Sequence, residues 1–352
     1  MPISARFQLT LLLCVAVLFG GGGVAYGLMN LGVQLVALAV LAANREAFAA
    51  FWTKAPRSLA VLVALSIAIP VMQLIPLRPD WWQALPGREL AAEARNAVGA
   101  TGWFGISLDR NRTLVALSGL IAPVCVLLLA WRLSQQELVR AGQVLVALAL
   151  ANFLIGVPQV LSNGAAAIPY PENPMPGVLF GTFANRNSTG IFLVACLAFL
   201  ALPSRRDGAS KLPYARLVIG ALLIVAIVLT RSRSAMVLAG LPLGLIALQN
   251  CSPSRWSPTT GWKSPAFGLI GAVAVLGALA VAVPNTRIAH SVARFSGEQD
   301  ARSYIWDDAT FAAQRYWPVG AGMGTFDEVF QADESLENLT ERRAGRAHND
   351  YL

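Results

Sequence analysis

Charge is scarce in this sequence. Only 13% of its 352 residues are Asp, Glu, Lys or Arg, where an ordinary soluble domain has about a quarter. A chain with 56% of its residues in the hydrophobic set cannot hide its apolar surface in one water-soluble core. Histidine is scarcer still: His290 and His348 are the only two, which excludes a His-rich metal site on ligand count. The four cysteines, Cys14, Cys125, Cys196 and Cys251, lie in apolar runs or at the end of one, so no pair is available for a disulfide in the polar segments. A small-residue cleavage site after the first apolar run is also missing. Gly20 to Gly23 suits a tight turn into the next run instead, so the N-terminus is expected to be retained.

What the sequence has in abundance is long apolar blocks. A bilayer's hydrocarbon is about 30 Å thick and takes roughly 20 apolar residues to cross as a helix, the conformation that satisfies every backbone polar group within one segment. The blocks predict spans at 7–23, 25–43, 58–77, 114–131, 143–161, 188–203, 217–230, 234–250 and 266–284. The expected fold class is therefore all-α, a polytopic membrane protein of about nine transmembrane helices. Residues 1–284 form the transmembrane domain, with outer loops at 78–113 and 162–187, and residues 285–352 form a C-terminal outer-face segment.

Lys and Arg in the short connections set the orientation. With the N-terminus cytoplasmic, the inner connections carry twelve basic residues, from Arg6 to Lys263, against Glu46, Glu137 and Asp207. The short outer connections carry Arg186, Arg231 and Arg233 alone. The formal net charge of +8 thus mostly records topology and implies no nucleic-acid partner.

The outer side holds the polar motifs. In 78–113, Trp81, Trp82 and Trp103 stand among mixed charges and read as headgroup anchors, and Glu89 to Asn96 reads as a short helix lying on the membrane. Four prolines between Ile168 and Gly177 rule out a helix there and favour an extended loop. It leads into Gly181-Thr-Phe-Ala-Asn-Arg-Asn-Ser-Thr-Gly190, a polar turn at the mouth of the next span, where Ser188 or Asn187 could cap the helix and Asn185 and Arg186 are left without a structural reason. Thr230-Arg-Ser-Arg-Ser234 joins two apolar runs with no room for a loop, so Arg231 and Arg233 must snorkel or bind something. Arg's planar fork matches phosphate oxygens bidentately.

Ala301 to Gln314 has a partial helical stripe and reads as an amphipathic helix on the membrane face. The alternating glycines of Pro318-Val-Gly-Ala-Gly-Met-Gly324 follow no strand, so they read as a tight turn that lets the backbone approach another element rather than as a dinucleotide loop. His348, near the end, reads on chemistry alone either as a hydrogen-bonded surface residue or as a proton acceptor.

Four of these pieces resemble, in order, the motifs of the O-antigen ligase and polymerase superfamily. Ala347-His-Asn-Asp-Tyr-Leu352 is similar to its His-Asn-x-Tyr-Leu signature, and Gly181-Thr-Phe-Ala-Asn-Arg-Asn187 to its Gly-x-Phe-x-Asn-x-Asn element. Thr230-Arg-Ser-Arg-Ser234 resembles its Ser-Arg-Ser helix end, and Arg302 to Trp306 with Pro318 to Phe326 resembles its Arg-x-x-x-Trp, Pro-x-Gly-x-Gly stretch. The resemblance implies an integral membrane glycosyltransferase of the GT-C type in a bacterial inner membrane, with residues 285–352 periplasmic. It implies a polyprenyl-diphosphate-linked glycan as donor, lipid A core or another glycan as acceptor, and neither cofactor nor metal. It implies His348 as base, Arg233 and Arg302 as phosphate-binding residues, and Arg231, Arg186, Asn185, Asn187 and Asn349 as further substrate contacts.

Members of that family continue past the histidine motif into more transmembrane helices, whereas this sequence stops at Leu352, so an incomplete reading frame is expected. The alternatives are a repeat-unit polymerase with the same donor chemistry, an inactive truncated homologue, and a small-solute transporter. A transporter would place ionisable groups near the bilayer midplane and often repeat its halves. Here the span interiors are almost free of charge.

Overall fold

The computed structural model describes residues 4–23, 26–163, 165–166, 169–170, 175–202, 212–250 and 302–338. Its helices, in chain order, are α1 (Ala5–Phe19), α2 (Gly27–Ala43), α3 (Arg45–Lys54), α4 (Arg57–Gln73), α5 (Pro79–Gln83), α6 (Glu89–Ala97), α7 (Arg110–Gly119) and α8 (Ile121–Arg132). They continue as α9 (Gln135–Leu161), α10 (Arg186–Ala201), α11 (Leu212–Leu229), α12 (Arg233–Leu238), α13 (Gly240–Asn250), α14 (Arg302–Arg315) and α15 (Phe326–Asp333). Two two-residue strands, β1 (Pro76–Leu77) and β2 (Phe104–Gly105), pair antiparallel with Pro76 opposite Gly105. The chain is thus mostly helical.

Among the described residues three helices are long and apolar enough to cross a membrane, Ala5–Gly22, Arg110–Arg132 and Gln135–Leu161. A fourth is reached if Gly27–Ala43 and Arg45–Lys54, bent 77° from each other, count as one span. Four shorter apolar helices occupy Arg57–Gln73, Arg186–Ala201, Val218–Leu229 and Arg233–Ile246. At 1.5 Å per residue, the 16 residues of α10 rise only about 24 Å. The irregular segment at 178–185 precedes α10, and the turn at 230–232 separates α11 from α12. The expected span at 266–284 lies outside the described residues.

The chain forms two compact units. The first contains Met1–Val40 and Leu129–Gly297. Here α9 begins with a capping box, Ser134 and Glu137 exchanging side-chain and backbone bonds, and runs for 27 residues. Against α9 pack α1, α10 and α11. Leu179, Leu193, Leu197, Leu223 and Ile227 form the centre of the core, each no more than 1% exposed. The close fit depends on small residues at the crossings: a Cβ at Gly156 would come within 2.7 Å of Leu179 Cγ.

The second unit contains Leu41–Leu128 and Glu298–Leu352. Phe51 of α3, Val63 of α4 and Leu128 of α8 build one small core. A second core joins Ala312 and Tyr316, at the end of α14, to Val329 of α15, with Leu108 and Ala321 beside them. Segment 74–109, folded around the β1–β2 pair, is thereby tied to residues more than two hundred positions later in the chain.

Candidate functional site

In the first unit two of the polar motifs meet. The segment 178–184 is irregular backbone inserted among α9, α10 and α11, and several of its backbone groups are held by named partners. Leu179 N–H donates to Leu229 C=O at 2.9 Å, and Ala184 N–H to Gly21 C=O at 2.9 Å. Gln159 of α9 accepts from the N–H groups of Phe180 (3.2 Å) and Gly181 (2.8 Å) and donates to Gly181 C=O at 2.9 Å. Thr189 Oγ1 donates to Phe180 C=O at 2.8 Å. Gly181 has φ of 60°, a left-handed conformation that glycine adopts without steric cost, and any Cβ there would overlap the Asn152 carboxamide.

The segment delivers the chain into α10. Asn185 is the N-cap: its Oδ1 accepts from Asn187 N–H at 2.8 Å. This corrects the expectation that Ser188 or Asn187 caps the helix, and it gives Asn185 the structural reason that the sequence had left open. A side-chain oxygen two residues before the orphan donor reaches it in an Asx turn, whereas Asn187 and Ser188 already lie inside the helix. Arg186 and Asn187 occupy the first turn of α10, both half-buried.

The turn Thr230–Ser232 between α11 and α12 packs directly on α10. A Cβ at Gly190 would stand 2.5 Å from Ala235 Cβ, 3.2 Å from Ser232 Cβ and 3.3 Å from Thr230 Oγ1. The structure therefore brings the backbones that carry Asn185, Arg186 and Asn187 beside those that carry Arg231 and Arg233. Ser232 is the N-cap of α12 and is 1% exposed; Thr230 is fully buried and donates to Ile227 C=O at 2.6 Å. Arg231 has φ of 52°, in the region where a non-glycine residue costs on the order of 1 kcal/mol. Glycine would close this turn without that strain, so the backbone is not what calls for an arginine at 231. Replacing Gly190 by Leu is expected to force α10 off the 230–235 turn and to destabilise the unit by about 1–3 kcal/mol, read as a lower melting temperature in detergent. An unchanged melting temperature would mean that the two motifs do not depend on this close approach.

In the second unit the outer segment and the C-terminal helices hold each other. Arg88 is fully buried, and its guanidinium donates to the carbonyls of Pro86 (3.1 Å), Ile106 (2.6 Å) and Gly320 (3.0 Å). It lies 5.9 Å from the Trp82 ring centroid and 5.5 Å from that of Tyr316. Burial lowers the Arg88 pKa, Tyr316 and Glu89 working against it and Arg95 with it; burial likewise raises the Tyr316 hydroxyl. Arg95 packs over Trp82 and Phe104, its guanidinium 4.2 and 3.5 Å from their ring centroids.

The glycines of 320–324 serve the same approach. Gly322, at φ of 121°, leaves room for the Ser107 side chain, and at Gly324, at φ of 83°, an added Cβ would stand 3.0 Å from Arg112 C=O. Thr113 Oγ1 donates to Met323 C=O at 2.8 Å, and Arg112 Nε pairs with Glu328 at 2.6 Å. Arg315, at the end of α14, pairs with Asp333 of α15; burial alone would lower its pKa, but Asp333 outweighs this and the net shift is upward.

One expectation in this unit needs correction. Trp82 is not a headgroup anchor: it is 1% exposed, and its indole N–H donates to Gly105 C=O at 2.9 Å. The β1–β2 pair creates an interior for the segment, and one of three tryptophans fills it. Trp81 and Trp103 remain 65% and 63% exposed. Arg302 opens α14, but its side chain, like all of His348 and Asn349, lies outside the described residues. Sequence reasoning missed Asn152, Gln159 and Arg88. The first two are isolated polar residues in an apolar helix, a signal that was present in the run 135–161.

Comparison with known proteins gave one family. Neither the curated proteins nor the solved structures compared with the chain produced a match. The sequence model of the family described as O-antigen ligase matches residues 218–352, a stretch that starts within α11 and includes the 230–234 turn, α14, the glycine turn, α15 and His348. The C-terminal part of the chain, residues 218–352, thus matches the O-antigen ligase family.

Proposed function

We propose that this protein is an integral membrane glycosyltransferase that moves a glycan from a polyprenyl-diphosphate carrier to an acceptor on the outer face of the membrane, as an O-antigen ligase does. The observation that carries the reading is the packing of the Arg186 turn on the Arg231–Arg233 turn inside the first unit, within a chain whose residues 218–352 match that family. Arginines carried on two turns that pack together at a polar break in an apolar bundle would suit a diphosphate. Each can offer a bidentate fork, and in a site with little water the charge that develops on a departing diphosphate is stabilised most strongly.

In this reading Arg233, Arg231, Arg186 and Arg302 bind the diphosphate, and Asn187 and Asn349 contact the glycan or phosphate oxygens. Asn185 contributes through the cap that fixes the first turn of α10. His348 takes the proton of the acceptor hydroxyl. About nine spans with a cytoplasmic N-terminus would put all of these residues on the outer side, where a lipid-carried glycan is presented.

The test is an outer-face transfer assay in a bacterial host deprived of its own ligase, with the full-length protein carrying Arg233→Ala. Transfer is expected to fall about 10²–10³-fold, the cost of removing one pre-placed charge donor, with membrane insertion unchanged. Undiminished transfer would remove Arg233 from the site. A wild-type protein that is inserted but makes no product would remove the function. Glycan appearing on lipid A core marks a ligase, and longer lipid-linked chains mark a polymerase.

A further inference from the structure

We propose that Gln159, with Asn152 two turns earlier on the same face of α9, is a positioning residue for donor binding: its carboxamide sets the backbone at Phe180–Thr182 and thereby the place from which α10 presents Arg186 and Asn187. This rests on the diphosphate-binding role proposed above. Gln159 is 5% exposed and Asn152 1% exposed, in a helix whose remaining buried residues are Ala141, Gly142, Val146, Ala149, Gly156 and Val160. Two primary amides in such surroundings are costly unless they are hydrogen-bonded. Gln159 meets the cost in full, since it binds both the N–H and the C=O of Gly181 and also the N–H of Phe180.

Asn152 Nδ2 donates to Thr182 Oγ1 at 2.8 Å, and its carboxamide fills the space beside Gly181 that a Cβ would take. Thr189 satisfies the Phe180 carbonyl. Without these side chains the peptides of 180 and 181 would leave unpaired donors and acceptors inside an apolar bundle, which membrane interiors tolerate only where other groups re-satisfy them. The segment has no secondary structure of its own to fix its path, so the amides of α9 fix it. Only three residues lie between Gly181 and the N-cap Asn185, so a shift of the clamp passes directly to the first turn of α10.

The probe is polyprenyl diphosphate, titrated against full-length protein in lipid nanodiscs, with turnover of glycan-loaded donor measured on the same samples. Gln159→Leu, which keeps the size and removes the bonds to Phe180 and Gly181, is expected to raise the Kd for polyprenyl diphosphate and the KM for donor about tenfold, the effect of one net hydrogen bond in position. Thr182→Val removes only the Asn152 bond and is expected to give a smaller shift of the same kind; it serves if Gln159→Leu does not fold. Gln159→Glu keeps both acceptor bonds and should recover part of the loss. A merely structural Gln159 would reduce the amount of folded protein and leave Kd and KM of the folded fraction at wild-type values, and that result overturns the proposal while the function stands. A folded wild type that binds no polyprenyl diphosphate overturns both.

Discussion

Replacing His348 by alanine in the full-length protein is expected to lower glycan transfer about 10²–10⁴-fold, the usual contribution of a positioned general base, while the protein is inserted in normal amount. The acceptor hydroxyl is a weak nucleophile until its proton is taken, and among the residues that the family motifs single out only the imidazole can accept a proton near neutral pH and release it again. The guanidinium groups cannot, because they stay protonated throughout. His348→Gln separates the roles: glutamine can still hydrogen-bond the hydroxyl but cannot remove its proton, so it is expected to be as inactive as alanine. A glutamine variant with near wild-type turnover would mean that the residue orients the acceptor and the proton leaves by another route. The assay is the outer-face transfer of glycan in a host without its own ligase, scored per inserted molecule.

The contrast between His348 and Arg233 is informative even before rates are interpreted. Loss of a base should reduce turnover with donor binding intact. Loss of a diphosphate ligand should weaken donor binding as well, because the charge it meets is present in the ground state and grows in the transition state. Equal effects of the two substitutions on donor affinity would therefore argue against the division of roles.

Much of the fold is legible in the sequence because apolar length is a direct physical signal. α1, α2, α4 and α9 to α11 each cover most of an apolar run, and α6 and α14 fall where the sequence predicts short helices. What is not legible is where a helix stops short for a tertiary reason. α12 ends after six residues and α13 follows at once, within a run that reads as one span. The polar turn at 230–232 is visible as a motif, but its left-handed Arg231 and its seat against Gly190 depend on the neighbouring helix.

The candidate site was legible as residue types and illegible as geometry. Asn185 reads as an unexplained polar residue and proves to be a cap, because the cap position depends on where the loop 178–184 releases the chain, and that is decided by Gln159 on another helix. Trp82 reads like Trp81 and Trp103, its neighbours in composition, and differs only because the β1–β2 pair encloses it. Arg88 gave no signal at all. An arginine in a polar outer segment is solvated by default, and nothing local announces an acceptor at Gly320, 232 positions away.

Arg88→Ala is accordingly expected to have the largest effect on stability, about 3–5 kcal/mol, because three carbonyls lose a charged donor and an unpaired buried acceptor costs about 1–3 kcal/mol. The guanidinium is fully buried and is held by three carbonyls and by the faces of Trp82 and Tyr316. Its removal leaves the Pro86, Ile106 and Gly320 carbonyls facing a cavity. Arg88→Lys keeps the charge but offers a single ammonium without the planar fork, so it should recover only part of the loss. Limited proteolysis in nanodiscs reads the outcome: both 78–109 and 316–338 should become sensitive together in Arg88→Ala, since the hydrogen bond to Gly320 is a tie between them. Sensitivity of 78–109 alone would mean that the tie to Gly320 contributes little, and unchanged resistance of both would mean that the apolar contacts of Tyr316, Val329 and Leu108 hold the unit without it.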